Sequence, residues 1–398
     1  MAGAIQLTEV DFEKIKENLV QYLKSTKEFT DYNFEGSNLS VILNLIAYQA
    51  QLNAYTANMI ANESFLASAS LRDNVVSNAR QIGYLPTSAR SAFSQITFTF
   101  TLDPDDYNQG LPEYLEIRPG IAFTTNGGEG NLVFNIVDTA NAPVASDGTA
   151  TFTAVTVYEG TYLPAEFIED ESDFNQRFVL ENSNIDSTTI RIEVQENPNE
   201  DTTYFYKDAD NLVEVSEESR VYWLEEVDNG YYQLSFGDDY FGRKLKDGAK
   251  INANYVVTNG VLGNGISGTN NFVFVGEVFD SFGINVTSTP VVSAVTVSKS
   301  GAQIESIPSV KFRAPKFYGA QNRAVVASDY DALIRQVYPA ADDVYVYGGE
   351  TLTPPQFGRV FISVKPNTGE QISNITKEYI RESLTPYRVA SLDIVFVD

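Results

Sequence analysis

The sequence predicts a multidomain α+β protein: an N-terminal helical bundle segment, a β-rich middle with an acidic insertion, and a small C-terminal α+β module. Three observations predict it. Gly36 to Asn62 runs 27 residues without a charged side chain and keeps a helical period. From Ser94 the apolar period changes to two, as a half-buried strand demands. Charge is unevenly placed: the chain carries −26 overall, residues 159–240 hold 22 acidic against 4 basic side chains, and residues 299–398 hold 11 of each. A chain of 398 residues can bury a sizeable core in several domains. The expected boundaries are 1–90 for the helical region, 91–300 for the β-rich domain with its insertion at about 159–240, and 301–398 for the last module.

Val10, Phe12, Ile15, Leu19, Tyr22 and Leu23 mark an amphipathic first helix. In the uncharged helix that follows, Leu45, Leu52 and Met59 recur every seven residues, with Tyr48 and Tyr55 three after each leucine. Asn44, Gln51 and Asn58 flank this seam at the same step, and Ile42, Ile46, Ala50, Asn53, Ala57 and Ile60 form a second face. Two such faces need two sets of partners. One reading buries both in the protein's own core; the other gives one face to another chain, with carboxamides fixing the register. A membrane span is not expected, because seven carboxamides interrupt a stretch that would have to be predominantly apolar. Leu66 to Ile82 reads as a third helix ended by Gly83, and Gly83 with Pro86 forms either a helix stop or a hinge.

Ile96, Phe98, Phe100 and Leu102 alternate with threonines and open the β region. Further strands are expected at Thr149–Tyr158, Ile190–Gln195, Val221–Glu225, Tyr231–Phe236, Ile251–Thr258, Phe272–Phe279 and Val291–Ser298. Asp228-Asn229-Gly230 between two of them is a hairpin signal. After Lys311 the types alternate: helix from Ala324 to Gln336, starting near Ser328-Asp329, strands at Val344–Tyr347 and Arg359–Val364, helix at Ser373–Leu384, and strand at Ser391–Val397. That strand runs to Asp398 with no tail, so longer relatives are expected to continue beyond it.

The chain has no cysteine and no histidine. Disulfides, thiolate and imidazole metal sites, Cys nucleophiles and Ser-His pairings are thereby excluded. No basic region followed by an apolar core opens the sequence, so a soluble protein made inside the cell is expected. The strong negative charge argues against a nucleic-acid partner, which requires clustered Lys and Arg. The acidic stretch reads as a solvated surface, with a basic partner as the alternative. Gly263-Asn264-Gly265-Ile266-Ser267-Gly268 matches a dinucleotide fingerprint in letters, but strand, not helix, is expected after it, so it reads as a glycine turn. Asp103, Asp105 and Asp106 lack the ordered ligand spacing of a calcium loop and read as a surface turn. Adjacent carboxylates such as Glu225 and Glu226 arise by chance among 53 acidic residues. No catalytic residue, cofactor or metal is predicted.

Three groups of residues carry a family resemblance. The first is Leu43, Ala47, Tyr48, Asn53, Tyr55, Glu63, Phe65, Ala69, Asn74 and Ala79, ending at Ile82-Gly83-Tyr84-Leu85-Pro86. The second is Phe236-Gly237-Asp238 with Gly242, Gly248, Tyr255, Gly260, Gly263 and Asn264. The third is Glu305-Ser306-Ile307, Arg313-Ala314-Pro315, Asn322-Arg323-Ala324-Val325 and Asp329-Tyr330. In order and spacing the chain resembles the baseplate-J-like family of contractile tails, most closely the T-even-type wedge subunits of the inner baseplate ring. The resemblance implies a virion structural protein of the virus tail, assembled in the host cytoplasm, which joins wedges into a ring that rearranges on contraction. It implies as partners a second copy of the chain, an elongated wedge protein bound through the N-terminal helices, a small sheath-initiating wedge subunit and a LysM-type connector. In such a wedge the edge formed by Asn44, Tyr48, Gln51, Tyr55 and Asn58 is the candidate partner-binding surface. The resemblance also implies relatives that are longer at the C-terminus, where part of their dimer contact lies, so wedge membership is the firmer expectation and pairing with a second copy the weaker one. A reading from another class is a β-rich carbohydrate-binding tail protein or adhesin, supported by the 12% aromatic content.

Overall fold

The computed structural model describes residues 6–25, 38–104, 107, 110–125, 131–209, 215–321, 323–338, 341–366, 371–372, 374–389 and 392–397. The first two residues of the uncharged stretch, the acidic turn at Asp105 and Asp106, and Ser373, Ser391 and Asp398 lie outside them. The chain divides into two units, Met1–Leu85 with Ser306–Gln321, and Pro86–Glu305 with Asn322–Asp398.

The first unit is helical: α1 spans Phe12–Ser25, α2 Asn38–Glu63, α3 Arg72–Gln81 and α4 Ile307–Ala320. Asp11 starts α1 by accepting the backbone N–H groups of Glu13 (2.9 Å) and Lys14 (3.2 Å), which a helix start otherwise leaves unpaired. The third helix begins at Arg72, six residues later than its apolar pattern predicts. The reason is Glu63, whose carboxylate accepts the N–H of Ser70 at 2.8 Å and of Leu71 at 3.2 Å and holds residues 64–71 as a turn. Ala69, Val75, Ala79, Tyr84, Val310 and Ala314 share a small core, closed by Tyr84 and Phe317 edge to face at 5.7 Å. α4 is not among the helices expected from the sequence, and Pro315 sits inside it. A proline there removes a backbone bond and costs about 3 kcal/mol; the burial of Val310 and Ala314 offsets that cost.

The second unit begins with strands β1 Phe93–Thr101, β2 Tyr114–Ile117, β3 Gly120–Thr125, β4 Val133–Ile136, β5 Ala140–Pro143 and β6 Thr149–Glu159. It continues with β7 Thr161–Ile168, β8 Phe178–Leu180, β9 Ile185–Gln195, β10 Tyr204–Asp208, β11 Val221–Val227, β12 Tyr231–Phe236 and β13 Lys250–Val257. After these come β14 Phe272–Phe274, β15 Val278–Asp280 and β16 Val291–Val295. A six-stranded sheet of order β14-β3-β4-β6-β1-β16 and a three-stranded sheet of order β15-β2-β5 enclose one core. The predicted alternation in β1 holds: Ile96, Phe98 and Phe100 are buried, and the core is a packed set of rings, with Phe98 stacked on Phe152 at 5.0 Å. The single strand expected over Phe272–Phe279 is two strands in different sheets. At Gly276 between them a Cβ would stand 2.9 Å from the Ile121 carbonyl oxygen, so the chain crosses there only without a side chain.

The acidic stretch together with residues 241–257 forms a folded lobe with its own core. Its seven strands run in the order β7-β13-β9-β10-β11-β12-β8. The sheet curls until its two edges meet, with Phe167 of β7 5.6 Å from Phe178 of β8. Leu180, Ile192, Val194, Leu224, Leu234 and Ile251 fill it. The hairpin expected at Asp228-Asn229-Gly230 joins β11 to β12, with Asn229 (φ 65°) and Gly230 (φ 71°) both left-handed. Polar groups fasten this lobe to the six-stranded sheet and its connections, Glu159 and Asp186 buried and the Arg191–Asp138 pair exposed. Glu159 accepts the Thr258 hydroxyl at 2.9 Å and the Asn259 carboxamide at 2.6 Å. Asp186 accepts the Ser91 N–H at 2.7 Å, and Arg191 forms a two-pronged pair with Asp138 at 2.6 and 2.8 Å. The glycine run at 263–268 opens no helix: Thr269–Asn271 is one 3-10 turn before β14. Gly263 is required because a Cβ would lie 2.7 Å from Glu159 and 2.8 Å from Ala92.

The last module has α5 Ala327–Val337, β17 Ala341–Gly348, β18 Arg359–Pro366, α6 Asn374–Leu384 and β19 Asp393–Phe396. β18 pairs antiparallel with β17 and parallel with β19, and α6 makes the crossover that parallel pairing needs. Asp329 accepts the N–H groups of Val325 (3.1 Å) and Val326 (3.0 Å), so α5 starts close to the expected Ser328-Asp329.

Candidate assembly surface

α2 is 26 residues long and fully buries only Ser40, Leu43, Ala47 and Ala54. The segment before α1 reaches the end of that stripe, where the Thr8 hydroxyl donates to the Ala54 carbonyl at 3.2 Å. Asn58 fastens the segment, accepting the N–H groups of Leu7 (2.8 Å) and Thr8 (3.1 Å) and donating to the Thr8 carbonyl (3.1 Å). Gln51 donates to the Val10 carbonyl at 3.0 Å. Among its described residues α1 buries no side chain fully. The hairpin of α1 and α2 therefore closes no core of its own.

Two further faces of α2 are largely apolar and exposed among the described residues. Val41, Leu45, Tyr48, Leu52, Tyr55 and Met59, spaced alternately by four and three residues, are all exposed, Leu45 by 67%, Tyr48 by 54% and Tyr55 by 64%. This is a coiled-coil seam, and at 3.6 residues per turn it lies roughly 120° around the helix from the buried stripe. Ile42, Ile46 and Ile60 are exposed on the second face, where Gln49 donates to Asn53 at 3.0 Å. At the far end of the seam a cavity of about 350 Å³ opens between Met59, Ile60, Glu63, Leu71 and Asn74. Burial acts to raise the Glu63 carboxyl, but hydrogen bonds from Ser70, Asn74 and Leu71 outweigh it and bring it down to about 2.

The five predicted residues separate into two sets. Tyr48 and Tyr55 point outward on the seam. Gln51 and Asn58 bond to the protein's own residues 7–10, and the Asn44 Oδ1 atom is buried with no hydrogen-bond partner among the described residues. Leu45, Leu52 and Met59, which the seven-residue step makes visible, are exposed on the same seam, Leu52 and Met59 less than the two tyrosines. Glu63 carries no such signal, since its partners lie 7 to 11 residues on in an irregular turn. Among the described residues no cluster of acidic groups could hold a metal ion, and no helix is long and apolar enough to cross a membrane.

Two family models match parts of the chain. Residues 11–84 match the helical domain of "Baseplate wedge protein gp6-like", and residues 326–395 match "Baseplate structural protein gp6, C-terminal domain I". The baseplate wedge protein gp6 of Enterobacteria phage T4 is 26% identical over 400 residues, covering 96% of this chain. The chain spans 57% of that relative's length. Among solved structures, the six-fold symmetrised cryo-EM baseplate of the anti-feeding prophage matches with a TM-score of 0.32 and 10% identity, over 96% of this chain and 70% of that one. The bare helix α2 thus lies in a segment similar to the helical domain of gp6-like baseplate wedge proteins, and the last module is similar to their C-terminal domain I.

Proposed function

We propose that this chain is a structural, non-catalytic subunit of a contractile-tail baseplate wedge. In the virion tail baseplate it joins wedges into the inner ring and takes part in the rearrangement on contraction. The observation that carries this reading is the unpartnered seam on α2, in the segment matched by the gp6-like helical domain. An uncharged helix with two bare apolar faces is poorly suited to water and well suited to a bundle shared between chains. The partners we assign are a second copy of the chain and an elongated wedge protein meeting it through the N-terminal helices. A small sheath-initiating subunit and a LysM-type connector bind nearby. Tyr48 and Tyr55 supply contact area, Asn44 lies beside them with its Oδ1 atom buried and without a donor among the described residues, and Gln51 and Asn58 hold residues 7–10 where the seam meets the protein's own chain. A wider resemblance to baseplate-J-like proteins is supported by the N-terminal group ending at Ile82-Gly83-Tyr84-Leu85-Pro86, the Phe236-Gly237-Asp238 group and the Asn322-Arg323-Ala324 group taken together.

Co-expression with the other wedge proteins of the same virus tests the reading. Burying two leucines stabilises a complex by about 3 to 6 kcal/mol, at least about 100-fold in affinity. Leu45→Ser with Leu52→Ser is expected to abolish co-purification while leaving the melting temperature of the isolated chain within a few degrees. Wild-type co-purification by the double variant would contradict the assigned surface.

A further inference from the structure

We propose that one end of the seven-stranded barrel, formed by residues 169–176 and 237–248, docks a basic surface on another protein of the virion: exposed rings supply apolar contact and the carboxylates around them receive arginine and lysine. The inference rests on the wedge reading, since it places the partner in the virion.

Strand pairing brings the two segments together. Ile168 at the end of β7 pairs with Lys250 at the start of β13, and Phe178 at the start of β8 pairs with Leu234 near the end of β12. The β7–β8 and β12–β13 connections therefore leave the same end of the sheet. They are bonded to each other: Gly248 N–H donates to the Glu169 carbonyl at 2.8 Å, Glu171 N–H to Asp247 at 3.2 Å, and Lys244 pairs with Glu171 at 2.8 Å.

Three large rings stand out of this end. Phe174 is 96% exposed, Tyr240 80% and Phe241 53%. The second connection is built to present its pair. Gly237 and Gly242 lie back to back, so close that a Cβ on Gly237 would stand 2.1 Å from the Gly242 carbonyl carbon. The four residues between them are extruded as a tight loop. Asp238 accepts the N–H groups of Tyr240 (3.0 Å) and Phe241 (2.9 Å), which fixes the direction of that loop. This is the Phe236-Gly237-Asp238 and Gly242 motif of the sequence, for which the α2 surface has no use. A ring held in water by a loop of this kind contributes nothing to the barrel core, and exposed aromatic patches mark interaction surfaces.

Charge selects the partner. The two segments hold seven acidic and three basic side chains. Of the three, Arg243 is engaged by Glu196 and Glu218 and Lys244 by Glu171. The Ser172 hydroxyl holds the Asp170 carboxyl below its ordinary range, and the N–H groups of Phe241 and Tyr240 do the same for Asp238, so both stay charged. Nucleic acid, anionic lipid and acidic proteins are repelled. Arginine suits the site best, because its planar cation both pairs with carboxylates and lies over aromatic faces.

The test places a photo-crosslinking benzoyl-phenylalanine at position 240 of the full chain in assembled virions, with the adducts sequenced by mass spectrometry. Expected is an adduct to a stretch of another virion protein rich in Arg and Lys, with its yield cut at least fivefold by Phe174→Ala and Phe241→Ala. Circular dichroism of the purified double variant checks that the barrel remains folded. An adduct to a stretch without excess basic residues, an adduct seen only after host polysaccharide is added, or no adduct although the chain is present in the virion overturns the docking site and leaves the wedge reading intact. Absence of the chain from purified virions overturns both.

Discussion

Glu63 closes α2 and fastens the turn leading to α3, and its carboxyl lies at about 2 against an ordinary 4.5. A carboxyl depressed in the folded state stabilises that state fully above its unfolded pKa. The contribution fades as pH falls from about 5 toward 2. Glu63→Gln is therefore expected to flatten the acid side of the helical unit's stability profile, read from thermal melts between pH 3 and 7. Because the group faces solvent in part, the difference shrinks with added salt. A variant as acid-sensitive as wild type would show that the turn is held by other groups. The seven-residue step of Gln51 and Asn58 was plain in the sequence. Their attachment to Leu7, Thr8 and Val10 was not, because a backbone segment without apolar period gives no sign of where it docks.

The seam of α2 was legible from spacing alone, since heptad placement of Leu45, Leu52 and Met59 leaves only the identity of the covering partner open. The structure adds that, among the described residues, one stripe of α2 is covered within the chain. α4 was illegible: Pro308 starts it acceptably, but Pro315 breaks the propensity that a pattern reader follows, and the packing that compensates comes from residues more than 200 positions away. Stability should follow burial. In the isolated chain, amides of α1 and α2 are expected to exchange with deuterium at least tenfold faster than those of β1 and β6, whose cores are closed. On incorporation into baseplates, α2 should slow to the rate of the sheet. Equal slow exchange of α2 in the free chain would mean that the seam is covered without a partner.

At the scale of the whole molecule, charge identified the acidic region, but strand pairing defines its extent. A cut at Glu159 and Tyr240 removes β7 to β12 and leaves Ile251, Ala253 and Tyr255 of β13 without the core they fill. It also removes the buried Glu159 that binds Thr258 and Asn259. The lobe that can be excised is Thr161–Val257, whose ends meet: a Cβ on Gly160 would lie 2.4 Å from the Val257 carbonyl oxygen. Joining Gly160 to Thr258 through a short glycine linker is expected to give a cooperatively melting protein, whereas deletion of residues 159–240 gives an aggregating one. The reverse outcome would mean that β13 belongs to the other core. The central claim, that α2 is buried by other chains in the assembled baseplate, has a direct probe because the chain has no cysteine. Leu45→Cys creates a single thiol at a site 67% exposed in the free chain. Maleimide labelling of that thiol is expected to be fast in the isolated protein and at least tenfold slower in purified baseplates. Labelling at the same rate in both would contradict the account.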